Sequence, residues 1–229
     1  MKSFVKQYQP LCLMPMEQTV NGIPSEDLIH VWKDSHWSEP WLYEASGDLA
    51  MAVNVALNLG KPLLLTGEPG VGKTDLAASV AWQLRCAPPL EFISRSTSEY
   101  TDVLYQVDYL GRMQAAYSGS GDHEENTQKD IDVLEFLGLG VLGAAIIKAN
   151  GPSGIDAIDK LVWAESQARI AERSVVLIDE IDKTPQDFPN DLLMEFDKLR
   201  FSIPQVYENR ESKQLREFSI NRESDHLRS

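Results

Sequence analysis

The sequence of 229 residues predicts an α/β fold, a three-layer sandwich with a mostly parallel central sheet. Short apolar runs at residues 62–66, 90–94 and 174–178 end in glycine or polar residues, which is typical of buried parallel strands. Apolar side chains at helical spacing over residues 48–59 and 74–84 predict amphipathic helices. The alternation of strands with helices favours parallel strands joined by crossover helices.

Three segments organise the chain. Residues 1–45 form an N-terminal extension in which Trp32, Trp37 and Trp41 are expected to pack onto the body. Residues 46–205 form the core and include a predicted helix over 189–200. Residues 206–229 are expected to be an incomplete, disordered C-terminal tail. Within the core, the polar and glycine-containing stretch 118–129 predicts an exposed, mobile loop.

Composition excludes several classes of function. Lys and Arg total 21 against 35 Asp and Glu, a net charge of −14 that argues against broad nucleic-acid binding. The longest apolar stretch, 133–147, falls short of the ~20 residues that span a bilayer, and the amino end has no signal-peptide pattern. Cys12 and Cys86 have no metal-ligand spacing and are expected to be free thiols. We therefore expect a cytoplasmic protein with no membrane partner.

The strongest motif is a glycine-rich loop between the first predicted strand and the following helix. Gly67-Glu68-Pro69-Gly70-Val71-Gly72-Lys73-Thr74 matches G-x-x-x-x-G-K-[ST] in full. Its glycines let successive backbone N–H groups face phosphate oxygens, Lys73 adds a charge for the β- and γ-phosphates, and the Thr74 hydroxyl is a ligand for Mg²⁺. The start of the next helix favours the same anion. The loop predicts a nucleotide site in a sandwich of the P-loop NTPase type.

A second motif supplies the acidic partner that such a loop needs. The apolar run 174–178 is followed by Asp179 and Glu180, and carboxyl ends of parallel strands are where α/β sheets bind ligands. Asp179 is predicted to hold Mg²⁺, mostly through water, and Glu180 to act as general base for the attacking water. Taken alone, such an Asp-Glu pair is also compatible with a simple helix cap.

These residues resemble those of the AAA+ ATPases. Residues 178–183, Ile-Asp-Glu-Ile-Asp-Lys, continue to a further set that resembles the MoxR branch: Pro185, Phe188, Pro189, Asn190, Leu192, Leu193 and Glu195. The resemblance covers about residues 40–205. It implies a ring-forming, Mg²⁺-dependent ATPase that remodels protein clients in a chaperone-like way. It also implies von Willebrand factor A-domain proteins as partners.

The end of the chain departs from the AAA+ pattern. That pattern continues into a strand ending in a polar sensor, an arginine finger and a helical lid. Here Asn221 is a displaced candidate for the sensor, Arg222 and Arg228 make no convincing finger, and we expect the lid to be absent, as in a truncated chain. Because an arginine finger contributes 10³–10⁵ in rate to related enzymes, ATP binding is a safer expectation than turnover. A module that binds nucleotide without hydrolysing it is the alternative; a small-molecule kinase is a weaker one.

Two further features carry less specific signals. Residues 138–143 match the dinucleotide pattern G-x-G-x-x-G, but no acid follows at the required distance, so we interpret the glycines as sites of close helix packing. A substrate-facing or pore-side element of a ring is the alternative, because the stretch lies between the two nucleotide motifs. Arg95, Ser96, Thr97 and Ser98 follow the second predicted strand and are predicted to line the same sheet edge as the acidic pair.

Overall fold

The structure, a computed structural model, describes residues 19–20, 23–24, 32–33, 35–37, 39–118, 133–163, 169, 171–209 and 214–220. Within these ranges the helices are α1 (Gly47–Leu59), α2 (Lys73–Gln83), α3 (Tyr109–Ser118), α4 (Val141–Asn150), α5 (Asp156–Trp163) and α6 (Phe188–Lys198). The strands are β1 (Thr19–Val20), β2 (Ile23–Pro24), β3 (Leu90–Ile93), β4 (Tyr105–Val107), β5 (Leu137–Leu139), β6 (Val176–Asp179), β7 (Arg200–Asn209) and β8 (Gln214–Ser219).

A parallel pair of strands forms the centre of the α/β arrangement. β3 pairs with β6 in register, from Leu90 opposite Val176 to Ile93 opposite Asp179. Successive side chains of a strand point to opposite faces, and here Leu177 packs with α2 while Ile178 packs with α4. The pair is thus covered by a helix on each face. The predicted α/β class and its three layers are confirmed, with a parallel sheet of two strands in the described part of the chain.

The largest core cluster lies on the α4 side of this pair. It joins side chains of α4, α5, α6 and the β7–β8 hairpin, and its fully buried members include Val103, Ile146, Ile158 and Ile203. Smaller clusters pack α1 against α2 and α2 against the tryptophan-containing segment that precedes α1. No helix in the described ranges has the length and apolar character required to cross a bilayer.

The predicted strand at 62–66 is wrong. These residues are assigned to no strand, and Leu63 and Leu64 are 39% and 71% exposed. A strand requires a neighbour for its backbone N–H and C=O groups. Among the described residues, β1 pairs with β2, β3 with β6, β4 with β5 and β7 with β8, so no strand is paired with this segment.

The expectation of a disordered tail after residue 205 is wrong for residues 206–209 and 214–220. β7 and β8 form an antiparallel hairpin in which Phe201 lies opposite Phe218. Both rings are buried and stack at 5.3 Å, and Val206 is buried as well. An apolar residue on each strand therefore anchors the hairpin to the main core. The domain boundaries themselves stay a prediction.

Two of the three tryptophans of the N-terminal extension are buried against the body as predicted, whereas Trp41 is 45% exposed. Trp32 and Trp37 are buried, and the indole N–H of Trp32 donates a hydrogen bond to the carbonyl of Cys86 at 3.1 Å. Trp82 of α2 lies 5.6 Å from Trp32 and 5.2 Å from the more exposed Trp41, measured between ring centroids. The aromatic residues fix this segment to the carboxyl end of α2.

Two of the three glycines in 138–143, Gly140 and Gly143, serve close packing as interpreted from the sequence, whereas a Cβ on Gly138 would have only ordinary contact, at 3.9 Å. A Cβ atom on Gly143 would lie 2.0 Å from the carbonyl oxygen of Leu104, and one on Gly140 would lie 2.3 Å from the backbone of Val103. α4 can approach this backbone only because both positions lack a side chain. The predicted mobile loop 118–129 lies outside the described residues, except for Ser118.

Candidate nucleotide site

The glycine-rich loop has the backbone conformation that its glycines permit. Gly70 and Gly72 have φ angles of +78° and +80°, which L side chains rarely adopt. Gly72 also caps α2, and a Cβ there would lie 3.1 Å from the ring of Tyr43. The loop therefore turns sharply into the first turn of α2, where unpaired N–H groups are available to an anion.

Lys73 lies across this loop. Its ammonium donates hydrogen bonds to the carbonyls of Gly67 at 2.9 Å and Glu68 at 2.7 Å. The positive charge is thus held against the loop by the loop's own carbonyl groups. A phosphate entering the loop would meet this ammonium and the helix start together. Glu68, Pro69 and Val71 are exposed.

Thr74 and Asp179 meet at the open end of the loop. The Thr74 hydroxyl donates a hydrogen bond to Oδ2 of Asp179 at 2.8 Å. Hydroxyl and carboxylate oxygens are the ligands that Mg²⁺ prefers, and two adjacent ligands of an octahedral ion with bonds of about 2.1 Å lie about 3.0 Å apart. The two oxygens are thus close enough to bind one Mg²⁺ ion, directly or through water.

Glu180 follows directly after β6 in a left-handed backbone conformation, with φ 56° and ψ 36°. Its backbone N–H donates to Oδ1 of Asp179 at 2.7 Å, so both oxygens of Asp179 have donors. Its carboxylate forms an ion pair with Lys183, with Oε2 and Nζ 2.6 Å apart. This hydrogen bond raises the pKa of Lys183 above its ordinary value. The Glu180 side chain is exposed at the same edge as Asp179.

The turn after β3 lies beside the acidic pair. The N–H of Ser94 donates to the carbonyl of Asp179 at 3.0 Å, which places the following residues at this sheet edge. Ser98 is buried, and its hydroxyl accepts a hydrogen bond from the N–H of Arg95 at 3.0 Å. Arg95 itself is exposed, as are Ser96 and Thr97. The structure brings this turn to the predicted edge.

Sequence reasoning missed two side chains that shape the site. Tyr43 contacts the position of Gly72 from the segment before α1, and nothing in the spacing of the sequence signals this contact. Lys183 lies three residues after Glu180 in a turn, and an acid and a lysine at this spacing could have indicated a pair. Asn221, Arg222 and Arg228, the sensor and finger candidates, lie outside the described residues.

A comparison with known families matches residues 62–221 of the 229 to the family described as the AAA domain, dynein-related subfamily. Searches of curated proteins and of solved structures found no match. The matched range begins at the segment before the glycine-rich loop and includes Asp179 and Glu180. It therefore contains every residue to which the loop and acidic motifs assign a role. The chain belongs to the AAA domain family, a group of nucleotide-binding ATPases with the P-loop NTPase α/β fold.

Proposed function

We propose that the chain binds ATP with Mg²⁺ between the glycine-rich loop and the end of β6, and that it hydrolyses this ATP to ADP and phosphate. The hydrogen bond between Thr74 and Asp179 supports this most directly, because it brings together the two motifs that such a site requires. Family membership supports nucleotide binding in general. The identity of the nucleotide and its turnover are the proposed parts.

Each residue has a distinct task in this proposal. The backbone N–H groups of the glycine-rich loop, which Pro69 lacks, and the ammonium of Lys73 bind the β- and γ-phosphates. Thr74 and Asp179 would hold Mg²⁺, which when bound neutralises charge on the phosphate oxygens. Glu180 orients a water molecule and accepts its proton. Glu180, in its left-handed conformation, lies at the sheet edge where β6 ends with Asp179.

A finer assignment is to the MoxR branch of these ATPases, with chaperone-like remodelling of protein clients. It is supported by the resemblance of residues 178–195 described above. The same assignment proposes a homo-oligomeric ring and von Willebrand factor A-domain proteins as partners, with cytoplasmic action and no nucleic-acid substrate.

The central test measures ATP affinity and phosphate release by the purified 229-residue chain, with and without Mg²⁺. Lys73→Ala is expected to weaken ATP binding at least about tenfold, because a charge-assisted contact is removed. Glu180→Gln is expected to retain ATP binding and to abolish phosphate release. Lys61→Ala is the matched control, since Lys61 lies outside the loop and pairs with Asp197. Equal affinity of Lys73→Ala and the unaltered chain would overturn the site.

A non-hydrolysing nucleotide-dependent binding module is the second candidate. The ion pair of Glu180 with Lys183 favours it, because this contact engages one oxygen of the proposed base. This candidate predicts ATP binding that Lys73→Ala removes, together with negligible phosphate release even when a version extended by a lid domain is added. Glu180→Gln would then change little.

Client remodelling is tested separately with a chemically unfolded reporter protein. We expect the chain to reduce its aggregation in the presence of MgATP more than with MgADP, and Lys73→Ala to lose this difference. If ATP binds and is hydrolysed but the reporter aggregates equally in all mixtures, the ATPase assignment stands and the chaperone-like activity is rejected.

A further inference from the structure

Lys183 lies where the chain turns away from the end of β6. Residues Ile181–Lys183 form a 3-10 turn, and the N–H of Lys183 donates to the carbonyl of Glu180 at 2.9 Å. This turn carries the lysine ammonium back to the Glu180 carboxylate, 2.6 Å away. The contact is therefore set by the backbone of the turn as well as by the attraction of two charges.

Glu180 is held at three points. Its N–H is bonded to Asp179, its carbonyl accepts from Lys183 N–H, and its carboxylate pairs with the Lys183 ammonium. A positive φ is uncommon for a residue other than glycine and is stable only when its surroundings fix it. Two of the three contacts come from Lys183, so this lysine has a large part in fixing the glutamate.

Charge gives a second reason to connect Lys183 with the nucleotide site. Asp179, Glu180 and Asp182 place three carboxylates within four residues, at the edge where the triphosphate is proposed to bind. The Lys183 ammonium interacts electrostatically with all three, and its pKa is raised chiefly by the hydrogen bond with Glu180. A triphosphate approaching this edge would otherwise meet uncompensated negative charge.

We propose that Lys183 is a positioning residue, which holds the Glu180 carboxylate in place and offsets its negative charge so that the site accepts a triphosphate. This inference rests on the proposed function, since it requires the γ-phosphate to lie near Glu180. It predicts an effect on triphosphate binding that depends on Glu180 and is larger than the effect on diphosphate binding.

A purely structural pair would behave differently. Exposed pairs three residues apart on one turn contribute little to stability, and many contribute nothing measurable. Lys198 and Glu195 provide a matched example with the same spacing, 3.0 Å apart, at the end of α6. If the pair Lys183–Glu180 is only a surface contact, removal of either lysine has the same negligible consequence for nucleotide binding.

The experiment is a double-mutant cycle of Lys183 and Glu180 in the full chain. Calorimetry measures the affinity of each variant for adenylyl imidodiphosphate and for ADP, both in the presence of Mg²⁺. Lys183→Met is expected to weaken binding of the imidodiphosphate by ~2–5-fold, a range typical of an exposed pair, and to change ADP binding less. Lys183→Arg should restore it, and Lys198→Met should equal the unaltered chain. In the Glu180→Gln background, Lys183→Met should have a clearly smaller effect, because only the interactions with Asp179 and Asp182 remain to be lost.

Equal affinities of Lys183→Met and the unaltered chain would overturn the inference, as would the same loss in the Glu180→Gln background. If the unaltered chain itself binds neither nucleotide, the proposed function fails, which is distinct from a failure of the lysine variants alone. Thermal unfolding identifies any variant that does not fold, and Lys183→Gln replaces Lys183→Met in that case.

Discussion

Thr74 and Asp179 are 105 positions apart in the sequence and are joined by a hydrogen bond of 2.8 Å between Oγ1 and Oδ2. The bond connects the first turn of α2 to the last residue of β6. The start of α2 and the end of β6 thus meet at one point. The contact makes the geometry of the candidate metal site dependent on both elements.

Replacing Thr74 tests this point. Thr74→Val keeps the size of the side chain but removes the oxygen, and we expect the Mg²⁺ concentration needed for ATP-analogue binding to rise roughly 10- to 100-fold. Thr74→Ser keeps the hydroxyl, and the Mg²⁺ concentration that it needs should remain within about threefold of that of the unaltered chain. The measurement is a Mg²⁺ titration at fixed adenylyl imidodiphosphate. Equal Mg²⁺ dependence of the two variants would contradict a role of the hydroxyl in holding the ion.

Gly143→Ala is expected to destabilise the fold. A Cβ at this position would lie 2.0 Å from the Leu104 carbonyl oxygen, so α4 must move away from the backbone that it packs against. We expect a loss of about 1–3 kcal/mol in the free energy of unfolding, as for other overpacked sites. Gly47→Ala is the control, because nothing lies within 4 Å of the added atom. Urea denaturation compares the two midpoints, and a shift of equal size in both variants would disprove the close approach.

Cys86 is expected to resist alkylation in the folded protein. Burial raises the pKa of this thiol from 9.0 to about 11, so its thiolate fraction at pH 8 falls to about one hundredth of the unshifted value. Iodoacetamide labelling with peptide-resolved mass spectrometry should show slow modification of Cys86 in buffer and rapid modification in guanidinium. Because the shifted pKa lies above 9, raising the pH from 8 to 9 should leave the folded thiol largely protonated. Rapid labelling of Cys86 at pH 8 in the folded chain would refute its burial.

Backbone amides of residues 63–66 are expected to exchange hydrogen far faster than those of Leu90 and Ser94. The amides of Leu90 and Ser94 donate to Val175 and Asp179 across the parallel pair, whereas residues 63–66 belong to no strand. Hydrogen exchange with mass spectrometry or NMR measures both groups in one sample. Comparable protection of residues 63–66 would indicate a strand partner for this segment.

The sequence was most informative where chemistry restricts the residue type. The loop ending at Lys73 and Thr74 requires glycine, lysine and hydroxyl at fixed positions, so its place before a helix could be predicted from residues alone. Asp179 could be predicted because a carboxylate directly follows an apolar run. The helices α1, α2 and α6 begin and end within one or two residues of their predicted limits.

Prediction failed where pairing between distant segments decides the structure. The run 62–66 has the composition of a buried strand, but its conformation depends on a neighbour that composition does not reveal. Residues 214–219 are largely polar, yet they form a strand because β7 lies beside them and Phe218 reaches the core. The contact of Tyr43 with Gly72 likewise depends on how the N-terminal extension folds back.

The tryptophans around α2 give the protein an intrinsic fluorescence signal from one end of this helix. α2 begins at Lys73, beside the candidate phosphate position, and its indole at Trp82 lies close to both Trp32 and Trp41. A displacement of this helix by a ligand would change the distances among three fluorophores near its far end. Intrinsic emission is therefore the signal in which such a displacement would be measured without an attached dye.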